Sequence, residues 1–154
     1  MASTITAATM TVTITESISL NGADQGATNT LSIASINEIS KRIVTVPTSE
    51  VEIIAMSTAV ASGTFVEGDV RYIRITNLDD TNHVTLTFKD EDNTEFAILI
   101  DKGQSFIYNG DLSGGVVNTM HAGSALTVSL NDLVNVTALA DTGSCDVEVF
   151  VASA

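Results

Sequence analysis

A chain of 154 residues with 44% hydrophobic and 16% charged side chains is long enough to bury one core and too apolar to be disordered. Nineteen acidic residues against six basic ones give a formal net charge of −13, which opposes contact with phosphate backbones, and no run of Lys or Arg offers a local exception. No apolar run approaches the ~20 residues of a membrane-spanning helix, so neither nucleic acid nor membrane is expected as a partner.

Thr, Val and Ile are abundant, and β-branched side chains of this kind fit a pleated surface better than a helix. Aromatics make up only 5%, and Pro47 is the single proline. A lone cysteine, Cys145, leaves no internal disulfide to form. The first residues show neither a basic segment nor an apolar one of the secretory type. Synthesis and assembly in a reducing cytoplasm are therefore expected, and the sequon at Asn135 carries no weight.

In chain order, residues 1–10 carry no charge and read as an N-terminal arm that orders on contact with a neighbour. Residues 11–154 read as a single domain. Val12, Ile14, Ile18 and Leu20 are apolar, and hydroxylated residues fill most of the places between them, predicting a strand with one buried and one wet face. Residues 21–26 hold turn chemistry, and residues 31–36 predict the next strand. Ser35 and Glu38 match a capping box, with Ile36, Ile39 and Ile43 at helical spacing. A strand over residues 40–46 is preferred to that short helix. Pro47 then opens a turn into a strand over Val51–Ser57.

Strands follow over Val70–Asn77, through Val84, Leu86 and Phe88, over residues 96–100, and from Phe106. Two acidic clusters, residues 78–82 and 90–94, lie between these runs at the roughly ten-residue spacing of a meander. Residues 109–115 form a glycine-rich loop. Further strands are expected over residues 125–130 and 133–139, and along Cys145, Val147, Val149 and Val151. The pattern predicts an all-β, single-domain antiparallel fold, with the meander spacing of sandwiches and barrels.

Chemistry is sparse. Residues 90–95 supply oxygens enough for calcium, but Glu95 occupies the place where an EF-hand count needs glycine, and strands flank the loop. The segment reads as a turn first and a loop-built calcium site second. His83 and His121 have no zinc-ligand spacing. No G-x-S-x-G elbow, Walker loop or dinucleotide fingerprint occurs. Cys145 alternates with valines and reads as a small buried hydrophobe. Arg71 and Arg74 read as solvated edge charges, with partner contacts as the alternative. No catalytic, cofactor-binding or metal residue is assigned, and no enzyme is expected. A carbohydrate-binding module is a competing reading, though it needs exposed aromatics for stacking.

Four stretches carry a resemblance: residues 68–77 with 85–88, residues 42–48, residues 101–107 and residues 140–149. Together they resemble the small virion structural proteins of tailed bacteriophages, marine ones in particular. The resemblance implies a jelly-roll-like sandwich assembled in the host cytoplasm onto a particle. It implies a capsid decoration, or cement, subunit on the outer capsid surface of the virion, usually a homotrimer, contacting the major capsid protein. A tail, neck or fibre-associated role is the alternative, and the resemblance implies no catalytic residue and no cofactor.

Overall fold

In the computed structural model the described residues are 4–108 and 132–154, with the backbone of residues 116–117 and 130–131. Residues 8–36 form a long antiparallel ribbon. β1 (Ala8–Glu16) pairs with β4 (Ala27–Ile36), and β2 (Ser19–Leu20) with β3 (Ala23–Asp24). Leu20 opposite Ala23 continues the register of Glu16 opposite Ala27, so the four segments make one hairpin. Its tip is Asn21-Gly22, both at positive φ (53° and 80°), the mirror-image turn whose twist matches the strands it joins. The break expected over six residues is thus a two-residue loop, and Ala23-Asp24 returns to strand. Ser35 lies at φ 63° where the register slips between Ala8 and Met10, a bulge and not a helix cap. Ala8 to Met10 belong to this ribbon.

The body comprises β5 (Glu38–Val46), β6 (Val51–Ser57), β7 (Phe65–Val66), β8 (Val70–Asn77), β9 (Val84–Asp90), β10 (Glu95–Ile100) and β11 (Ser105–Tyr108). A short pair, β12 (Val116–Val117) and β13 (Leu130–Asn131), precedes β14 (Leu133–Ala140) and β15 (Cys145–Ser153). One sheet has the order β10-β9-β14-β6-β7 and the other β11-β8-β15-β5. Among the described residues all pairings are antiparallel except that of β6 with β7, where Met56 lies beside Phe65. The architecture is all-β, as the alternation predicts, with the two sheets of a β-sandwich.

Alternate residues of both sheets meet in the core: Val84, Leu86, Phe88, Val136 and Ala138 from one, Ile73, Ile75, Val147, Val149 and Val151 from the other. Phe88 links the layers. Its ring stacks on Phe96 at 4.7 Å and lies 5.0 Å from Phe106 of the opposite sheet. Ile53 and Ile54 break the alternation, since both are buried. A bulge explains this, because β14 matches Val136 to Ile54 but the next residue, Thr137, to Glu52. Arg42 donates to the Ile53 carbonyl at this bulge.

Among the described residues the chain crosses between the sheets through residues 47–50, 67–69, 78–83, 101–104 and 141–144. The pairings of Val46 with Cys145, and of Val84 with Ala140 and Ile100, put four of these crossings at one end of the sandwich; the crossing through residues 67–69 is at the other, where Val70 pairs with Ser153. The β9–β10 turn lies at the other end.

Candidate interaction surface

The two acidic clusters are thus at opposite poles. In the corner loop, Asn77 is fully buried and gives its side-chain amide to the Asn82 carbonyl at 2.9 Å. Its oxygen accepts the Asp79 amide at 3.0 Å. Asp79 in turn accepts the amides of Thr81 and Asn82 at 2.8 and 2.6 Å. Those backbone bonds hold its carboxyl below the usual carboxylate range. Thr142 from the next corner donates to Asn82 at 2.8 Å. The carboxylate therefore organises a turn, as Asp does where its side chain satisfies nearby amides.

The second cluster is a tight hairpin turn. Asp90 is buried and accepts the Thr94 amide at 2.6 Å, while Asn93 stands at φ 64°. Among the described residues no group of three or more His, Cys, Asp or Glu side chains is arranged to hold a metal.

His83 is partly exposed, with Nδ1 3.7 Å from Asp141; His121 and the glycine-rich loop lie outside the described residues. Cys145 is fully buried, and burial, followed by the carboxylates of Asp79, Asp141 and Asp146, pushes its thiol up. It is the small hydrophobe the pattern predicts. Arg74 corrects the reading of solvated edge charges. β8 is an interior strand, and Arg74 pairs with Glu148 at 2.5 Å while lying 5.9 Å from the Phe150 ring. Arg71 donates to the Gly68 carbonyl at 2.7 Å.

The least conventional surface belongs to the N-terminal hairpin. Its register places Met10 opposite Ile33 and Val12 opposite Leu31, so these share one face with Ile14. Thr11, Thr13, Thr15, Thr28, Thr30 and Ser32 occupy the other. The base of the apolar face packs on the outer side of the four-stranded sheet, where Met10, Val12 and Ile33 meet Tyr72, Ile107 and Phe150. Tyr72 and Phe150 cross edge to face at 6.0 Å beneath it. Further out the cover ends: Ile14 and Leu31 are 40% and 41% exposed, Ile18 and Leu20 54% and 61%. Alternation was expected to bury one face of this strand; the structure leaves most of it uncovered. A groove lies where Met10 to Ile14 pass over Tyr72, Arg74, Ile107 and Phe150.

Sequence reasoning missed this projection. The available signal was charge: residues 4–36 hold two acidic side chains, Glu16 and Asp24, and no basic one. Fully buried contact regions between proteins are depleted of charge in the same way.

No protein-family model matches the chain, and no curated protein matches it either.

Proposed function

We propose that the chain is a virion structural subunit, a capsid decoration or cement protein that self-associates as a homotrimer and braces neighbouring copies of the major capsid protein on the outer shell. The observation that carries this reading is the pairing of a two-sheet body with a projecting hairpin that is charge-poor and apolar on one face. A two-stranded ribbon is marginal by itself in water. One that exposes Ile18 and Leu20 gains by lying against another protein surface. A net charge of −13 suits the outside of a particle better than contact with packaged nucleic acid.

Sugar binding is less well supported. All seven Tyr and Phe residues are buried or half-buried, which leaves no stacking platform.

Cryo-electron microscopy of particles carrying the labelled protein tests the proposal. Label over the shell, between capsomers, is the expected result. Label confined to the tail or neck selects the other structural role, and label absent from particles overturns both.

A further inference from the structure

The outer side of β5 carries a second uncovered strip. Ile39, Lys41 and Ile43 pair across to Ala152, Phe150 and Glu148, so they share the face on which the hairpin base sits. Ile39 and Ile43 are 60% and 63% exposed, and the Lys41 side chain is 61% exposed. The strip therefore continues an apolar contact already made within the chain, but the chain's own hairpin leaves it open.

The hairpin offers its complement. Along β1 and just beyond, Ile14, Glu16 and Ile18 recur at the same two-residue steps as Ile39, Lys41 and Ile43. Each trio spans about 13 Å at ~3.3 Å per residue. In both, a charge lies midway between two isoleucines, negative on the hairpin and positive on β5, where Lys41 reaches Glu148 of its own chain at 3.1 Å and still has its side chain 61% exposed. The match holds whichever way one strand runs along the other.

We propose that the outer hairpin of one copy docks across the Ile39–Lys41–Ile43 strip of a second copy, isoleucines on isoleucines and Glu16 toward Lys41. This deepens the self-association in the preceding reading and rests on that part of it alone. Area decides how such contacts assemble. About nine residues of ribbon, ~30 Å long and ~10 Å wide, present roughly 300 Å². One arm on one strip then removes about 600 Å², short of the ~1,000 Å² that a specific interface needs. In a two-fold pair that exchanges arms, both contacts fall in one interface and bury about 1,200 Å², which passes that mark; in a ring of three each interface keeps one contact of about 600 Å², and closure of the ring holds it, since every copy gives one arm and receives one.

Two measurements on the purified full chain test the contact. Light scattering at high micromolar concentration should give a mass above that of the 16.1 kDa chain. The Ile14→Asp/Ile18→Asp variant should fall to the single-chain mass, as should Ile39→Asp/Ile43→Asp. For capture, Ile18→Cys and Ile43→Cys variants are mixed under mild oxidation; both positions are exposed, and the natural Cys145 is buried. A disulfide-linked pair that forms in the mixture and is lost when Ile43 is kept supports the contact. A wild-type chain that stays at single-chain mass, together with no linked pair in the mixture of the two cysteine variants, overturns it. If particles still carry such a chain, the virion reading stands without it.

Discussion

Arg74 and Glu148, on adjacent strands of the four-stranded sheet, approach to 2.5 Å, and Lys41 reaches the same carboxylate from the other side at 3.1 Å. One acid thus gathers two of the six basic side chains in the molecule. Their hydrogen bonds, Arg74 first, hold the Glu148 carboxyl below its ordinary range.

That shift sets a pH dependence. A carboxyl group whose pKa is depressed by folding stabilises the fold above its unfolded pKa and loses the contribution as pH falls through the folded value. Asp79 acts with the same sign, and Glu67, raised first by burial and then by Asp132 and Glu91, acts with the opposite one. Melting temperature should hold above the ordinary carboxylate range and fall below it. Glu148→Gln should flatten that acid limb while lowering stability at neutral pH. Thermal melts of both proteins from pH 7 to pH 3 check this; parallel curves would contradict it.

Asn77 ties the corner loop from inside, bonding Asn82 and Asp79 from a fully buried position. Asn77→Leu deprives those groups of their partner in a setting that water reaches poorly. The expected loss is about 1–3 kcal/mol, read as a lower urea midpoint at unchanged slope.

Phe88 contacts rings in both layers, so truncating it opens a cavity between the sheets. Phe88→Ala should cost about 3–5 kcal/mol. Equilibrium urea unfolding measures it, and a loss under about 1 kcal/mol would mean that the layers collapse around the gap.

The hairpin should respond locally. Gly22 stands at φ 80°, where Asn is tolerated and Ala is strained. A Cβ on Gly26 would lie 2.4 Å from the Glu16 carbonyl oxygen, so the ribbon must shift. Gly22→Ala and Gly26→Ala should speed amide exchange over residues 8–36 and leave β8, β9 and β15 protected, whereas Gly22→Asn should resemble the parent. Exchange that rises equally in the body would show that hairpin and sandwich unfold together.

Much of the body is legible in the sequence because burial on one side writes itself as alternation. Val51–Ser57 and Val70–Asn77 have the bounds the pattern predicts. Turn chemistry placed both acidic clusters at connections, and the valine register placed Cys145 in the core. Ile53 and Ile54 escaped, since a bulge depends on the partner strand's register and leaves no local mark. Arg74 escaped for a similar reason: its charge suggested an edge, while its partner Glu148 lies 74 residues on.

Which face of each strand a side chain occupies was settled by the order of residues, since successive side chains on extended backbone point to opposite sides. Whether anything covers that face was decided only by the packing of distant segments. Val147 and Ile14 sit in equally regular alternation; one is fully buried between two sheets, and the other stands 40% exposed on a ribbon that outruns its own body. Periodicity records a direction, and burial requires a second surface brought there by the fold.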